Sequence, residues 1–190
     1  MRAVNINQSL ITDEDLVRQV ADGQLESLGV LFDRYHQPLR RFLSRLQVPA
    51  SDLDDLVQLT FLQVPRAAVR FEADRSARGW LFGLATFVVK RHRRAIARLK
   101  RKISALAKEP AARDAPTPID LVGEEQSVQR AHRALAELSK KKREVFVMIV
   151  LEQLSGEAVA QALGIPVGTV WTRLHHARRE LRALLGEGES

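Results

Sequence analysis

Residues 155–181 read SGEAVAQALGIPVGTVWTRLHHARREL, and the glycine in their middle constrains the fold more than any other position. Ser155 is suited to cap a short helix, because its hydroxyl can accept a bond from an otherwise orphaned first-turn N–H. Val159, Ala160 and Leu163 then recur at helical spacing and form an inner face. Gly164 stands where that helix must end in a left-handed conformation, and Pro166 follows within the turn. Ile165, Val170 and Leu174 bring a second helix back onto the first, with Ala160 small where the two must cross. Two helices folded around a glycine turn in this way make a helix-turn-helix.

The second helix carries Thr169, Trp171, Thr172, Arg173, His175, His176 and Arg179 on its outward positions, with Arg178 beside them. Threonine and arginine suit phosphates and base edges in a major groove, and a Trp can stack or meet a thymine methyl. The whole chain agrees: 30 Lys and Arg against 23 Asp and Glu give a formal net charge of +7, which favours a polyanionic partner. His175 and His176 do not read as metal ligands, since neighbours on a helix point in different directions and nothing is spaced to complete a set. No metal and no cofactor are expected.

Helical periodicity extends through almost all of the 190 residues, so an all-α fold is expected. Thr12 before DEDL marks a helix start. Leu16, Val20, Leu25, Leu28, Leu31 and Phe32 supply an apolar face, with a break at Asp22-Gly23. A second helix is expected over 37–46, and a third, capped by Ser51 or Asp52, towards Val64. Residues 71–79, FEADRSARG, read as a loop, and 80–102 as a long helix, apolar early and basic late. The prolines and mixed charges of 108–126 mark a linker. The expectation is two small helical domains: a disordered N-terminus over 1–11, a first domain over 12–104, a flexible linker over 105–126, a second domain over 127–185 and a fraying tail over 186–190.

The N-terminal half contains two further features. In SDLDDLVQLTFLQV, residues 51–64, Leu53, Leu56, Val57, Thr60, Phe61 and Val64 form an inner stripe. Asp52, Asp55, Gln58 and Leu59 fall on or near the other side; an acidic face on a basic protein suits another protein better than DNA. In 78–102, Lys90, Arg91, Arg93, Arg94, Arg98, Lys100, Arg101 and Lys102 form a basic run with no acid among them, preceded by Trp80, Phe82 and Phe87. Cations and rings together suit a strand with exposed bases, although Trp80 reads better as a core anchor.

In this order, DLDDLVQLTF, WLFGLA with a basic end, a linker, LSKKKREVFV and LGIPVGTVWTRLHHARREL, the chain resembles the extracytoplasmic-function group of bacterial sigma factors from about Leu16 to Leu185. The resemblance implies a protein that binds core RNA polymerase and directs it to promoter DNA. The helix 51–64 would meet the polymerase clamp through Asp52, Asp55, Leu56, Gln58 and Leu59. The −10 element would be recognised and opened by the 71–94 region, through Phe71, Arg75, Arg78, Lys90, Arg91, Arg93 and Arg94. The helix-turn-helix would read the −35 element, and an anti-sigma factor would clamp both domains. Five positions depart from the family's habit: Leu59 stands for a Glu, Thr86-Phe87 for Arg-Asn, Ala158 for a capping Glu, and Trp171 for a Lys or Arg.

Other classes fit less well. With 5 His and 0 Cys, no nucleophile–base pair is recognisable, and no GxxxxGK[ST] loop supplies nucleotide hydrolysis; no enzyme is expected. No apolar run approaches the roughly 20 residues of a membrane span, and the N-terminus lacks a signal peptide's apolar stretch, so a cytoplasmic protein without membrane insertion is expected. A free-standing helix-turn-helix regulator is the alternative, but it needs a dimer seam and no sustained heptad pattern is present.

Overall fold

The computed structural model describes residues 11–72, 74–107 and 126–186, and among these there are helices and no strand. Helix α1, Asp13–Ala21, starts as expected: the Thr12 hydroxyl accepts from the Asp15 amide at 3.1 Å. The turn at Asp22-Gly23 is present, with Gly23 at φ +88°. Helix α2, Leu25–Arg45, does not restart at Gln37. Leu31, Tyr35, Leu39, Phe42 and Leu43 run straight through Pro38 on one buried face, and packing of that face outweighs the bond lost at proline. Leu25 and Phe32, expected inside, are 66% and 37% exposed; Phe32 lies across Phe61 and stacks on His36.

A single 3-10 turn, Ala50–Asp52, leads into α3, Leu53–Ala68. Neither expected cap forms. Asp52 has helical backbone and turns its carboxylate to His92 at 3.2 Å, while Ser51 bonds only Asp52. Helix α4, Ala77–Ala107, begins three residues before the expected Trp80. Its first turn is held from outside: Glu14 accepts from the Ala77 amide at 2.9 Å and Ser76 Oγ from the Gly79 amide at 3.1 Å. Phe82 of α4, fully buried, meets Phe42 edge-to-face, so α1 to α4 close around one core.

Helix α5 spans Gln126–Glu137, and α6, Lys140–Phe146, continues into a π turn over Val147–Leu151. Gln153 then takes φ +54°, an uncommon conformation for a residue with a side chain. Helices α7, Gly156–Leu163, and α8, Val167–Leu185, complete the chain. The expected linker is trimmed at both ends by α4 and α5, and residues 108–125 lie outside the described ones, as do 1–10, 73 and 187–190.

The two helical groups are packed together. Gly79 and Gly83 of α4 face Ala158 and Ala162 of α7 so closely that a Cβ on Gly83 would stand 2.8 Å from the Ala162 carbonyl oxygen. Small residues on both sides let helix backbones approach. Around this crossing Glu152 receives Arg45 at 2.7 Å and Arg78 at 3.2 Å, and Glu144 receives Lys90 at 2.8 Å.

Candidate nucleic-acid interface

The helix-turn-helix forms as the residues require. Ser155 Oγ accepts from the Ala158 amide at 3.1 Å, and Gly164 ends α7 at φ +63°. Only half of a capping box is possible, because Ala158 has no carboxylate to return to the Ser155 amide. Val159, Val170, Leu174 and Ala177 are buried between the helices and the core. That anchors α8 and turns its other side outward.

On that side Trp171, Thr172, His175, Arg178 and Arg179 are exposed, while Thr169, Arg173 and His176 are half-buried. Trp171, Leu174, His175, Arg178, Arg179 and Arg182 surround a concavity of about 330 Å³. Thr172 donates its hydroxyl to the Gly168 carbonyl at 2.9 Å, so it offers a partner mainly a methyl and a lone pair. Arg182 belongs to this surface but was not singled out from the sequence; its spacing from Arg178 and Arg179, one helical turn, was the available signal.

Trp171 is less free than its 49% exposure suggests. Its indole lies on Gly156, at the first turn of α7: a Cβ there would come within 2.4 Å of the ring. The missing side chain at Gly156 thus leaves the space that the ring occupies. Nothing in Gly156's own sequence position announced this, because it sits in a helix where glycine is ordinarily unfavourable.

The residues expected around the −10 region divide. Phe71 packs edge-to-face on Trp80, and Arg75 pairs with Glu72 at 2.6 Å. Together with Ser76, Leu84 and Phe87 of the same region, Arg75 and Trp80 line a cavity of about 230 Å³ whose other wall is α7. Arg75 Nε is buried there without a hydrogen-bond partner, and Phe87 is 54% exposed. Arg91 and Arg94 are exposed, whereas Arg78 and Lys90 serve Glu152 and Glu144.

Arg93 does not face outward. It donates to the carbonyls of Leu46 at 2.8 Å and Gln47 at 3.1 Å, and burial lowers its pKa. Arg143 approaches the same Leu46 oxygen at 3.4 Å and also donates to the carbonyls of Leu135, Ala136 and Leu138 at the end of α5. Burial first, then the Arg93 charge, bring its pKa down to about 10; at neutral pH it remains a cation. Two arginines therefore satisfy helix-end carbonyls that would otherwise be orphaned.

On α3 the exposed face comprises Asp54, Asp55, Gln58, Leu59 and Leu62. Leu62, 72% exposed, was missed in the sequence although it follows Gln58 by one turn. Leu56 does not belong to this face: at 1% exposure it is in the core, so it has no surface to give a partner. Asp52 is partly turned away, towards His92. Among the described residues no group of three or more side chains is arranged to hold a metal ion, and no helix is long and apolar enough to cross a membrane.

An all-helical fold with a helix-turn-helix whose second helix is basic on its outward face has the features, as a class, of a DNA-binding transcription protein. Two family models match it, Sigma-70 region 2 over residues 31–99 and Sigma-70 region 4 over residues 129–181. The RNA polymerase sigma factor NccH of Alcaligenes xylosoxydans xylosoxydans is 31% identical over 179 residues, covering 91% of this chain and 94% of NccH. The ECF RNA polymerase sigma-E factor of Escherichia coli K12 is 29% identical, covering 90% of this chain and 93% of that protein. A solved structure of CnrH with the cytosolic domain of CnrY matches with a TM-score of 0.67 at 29% identity, over 93% of this chain and 99% of CnrH. The chain belongs to the sigma-70 family, in its extracytoplasmic-function group. It is a sigma factor, a protein that directs RNA polymerase to promoters, rather than a free-standing regulator.

Proposed function

We propose that residues 12–104 form the unit that binds polymerase and recognises the −10 element, and residues 127–185 the unit that reads the −35 element. The observation that carries this assignment is the outward face of α8, where Trp171 and three arginines border one concavity on the second helix of a helix-turn-helix. Thr169, Trp171, Thr172, Arg173, His175, His176, Arg178 and Arg179 are the −35 set, with Arg182 added. Phe71, Arg75, Arg91 and Arg94 form the −10 set, joined by Arg78 and Lys90 once their carboxylates release them.

Core polymerase is the protein partner of α3, met by Asp55, Gln58, Leu59 and Leu62. Two exposed leucines between polar residues make an apolar centre with a polar rim, the anatomy of a protein interface. An anti-sigma factor is a further partner, as in the solved complex of the sigma factor RpoE with the anti-sigma factor NepR from Bartonella quintana, whose sigma chain shares this fold. No catalytic role and no cofactor are assigned; the protein acts in the cytoplasm, through binding alone. Opening a duplex costs a mean of about 1.4 kcal/mol per base-pair step, and capture of unstacked bases returns roughly 1–3 kcal/mol each.

Co-elution with purified core polymerase tests the assignment. The wild-type chain is expected to co-elute, and Leu59→Asp with Leu62→Asp to do so at least tenfold more weakly while retaining duplex binding. Undiminished co-elution of that double variant would remove α3 from the polymerase interface.

A further inference from the structure

The outward side of α8 changes character along its length. Val167, Trp171, His175, Arg178 and Arg182 follow one another in steps of three or four residues and share one stripe, flanked by Gly168, Thr172 and Arg179. The second half of that surface is cationic. The first half carries no charge: Arg173, the charged side chain of the first two turns, lies off the stripe and is half-buried.

What the first half offers is carbon. Val167 and Trp171 are exposed. The Thr172 hydroxyl is given to the Gly168 carbonyl at 2.9 Å, so a methyl and a lone pair are what Thr172 has left for a partner. Gly168 is an unfavourable residue in a helix, and nothing within 4 Å would meet a Cβ there. The packing of the fold therefore does not require a glycine at 168, whereas the close approach of a partner does. At Gly156 the indole carbons of Trp171 would stand 2.4–3.0 Å from a Cβ. One glycine seats the ring, and the other clears the surface beside it.

The dimensions suit one groove. Trp171 and Thr172 precede Arg178 and Arg179 by seven residues, about 10 Å along a helix, and the major groove is about 12 Å wide. With the cations on the phosphates of one wall, the ring and Thr172 lie over base edges. In that groove the base edges present donors, acceptors and one apolar group, the C5-methyl of thymine.

We propose that Trp171, seated on Gly156 and joined by Thr172, reads thymine methyl groups in the −35 element, so that this sigma factor selects thymine where a Lys or Arg at position 171 would select guanine. This rests on the assignment of α8 to the −35 element. Trp171 is the residue that determines specificity, and Gly156 positions it.

A duplex library randomised across the promoter, selected with core polymerase carrying this chain, defines the preferred −35 block. Each thymine of that block is then replaced by deoxyuridine, which removes one methyl and keeps every hydrogen-bonding group. At one position at least, the wild-type holoenzyme should lose roughly fourfold in affinity, the worth of one buried methyl group. Trp171→Ala should not distinguish the two duplexes there, and neither should Gly156→Ala, whose indole is displaced. Selection repeated with Trp171→Arg should return guanine at that position.

A wild-type holoenzyme indifferent to every thymine-to-uracil exchange would overturn the inference, as would a −35 block without thymine or a Trp171→Ala variant that keeps the full discrimination. The exchange is made in the DNA, so a folding defect cannot imitate its result. Arg178→Ala with Arg179→Ala separates the two layers. If that variant holds the selected block as tightly as wild type, the −35 assignment itself falls, and the inference with it. If it binds weakly while uracil has no effect on wild type, only the thymine reading falls.

Discussion

The cations of α8 and those of α4 look alike in sequence and do different work. On α8, Arg178 and Arg179 are exposed around a concavity beside an aromatic ring. On α4, Arg93 closes the end of α2, and Arg78 and Lys90 serve buried glutamates more than fifty residues away in the chain. A positive charge is available to a nucleic acid only while no carbonyl or carboxylate within the fold holds it. The basic run at 90–102 therefore overstates the cations left at the surface, since Lys90 and Arg93 are engaged within the fold, whereas Arg178 and Arg179 on the proposed −35 face remain exposed.

The comparison breaks most visibly at Arg143, the arginine most fully taken by the fold. Arg143→Ala leaves the carbonyls of Leu135, Ala136 and Leu138 without their buried donor. A loss of about 3 kcal/mol is expected, from bonds to a charged group worth roughly 1.5–3 kcal/mol, read as a lower urea midpoint. Gly156→Ala comes next. The added methyl evicts the Trp171 ring, and duplex −35 affinity should fall about tenfold, or about 1.4 kcal/mol, with a shift in Trp emission.

Arg178→Ala and Arg93→Ala sharpen the contrast directly. The first should weaken duplex binding and reduce the salt slope of log K by about 1, as for one lost phosphate contact, with stability unchanged. The second should lower stability by about 1–2 kcal/mol and leave the salt slope where it was. Equal slopes for both would erase the distinction between the two helices. At the small end, Arg18→Ala removes a pair with Asp15 that is about half-exposed on both sides; thermal unfolding should register no more than about 0.5 kcal/mol.

Much of the local structure was legible. Thr12, Ser155 and Gly164 act where their chemistry places them, because caps and left-handed turns depend on neighbours a few residues away. The outward face of α8 followed from the same short-range logic. Helix α2 was harder: a separate helix was expected from Gln37, and only the buried stripe on both sides of Pro38 shows that one helix runs through. The π turn at Val147–Leu151 has no comparable local mark.

The largest gap concerns contacts across the chain. Leu56 was read both as inner stripe and as partner surface, and burial decides for the first. The partners of Arg78 and Lys90 lie far away in sequence, on a segment that reads as ordinary helix. The two glycines of α4 gain their meaning only from the alanines of α7.

Run-off transcription with purified core polymerase, on DNA from upstream of this protein's own gene, tests the central claim most directly. The account predicts a core-dependent transcript from one defined start, abolished by Arg178→Ala with Arg179→Ala although that variant still co-elutes with core. A transcript unaffected by the double substitution, or a variant that no longer joins core, would contradict the assignment of α8 to promoter reading.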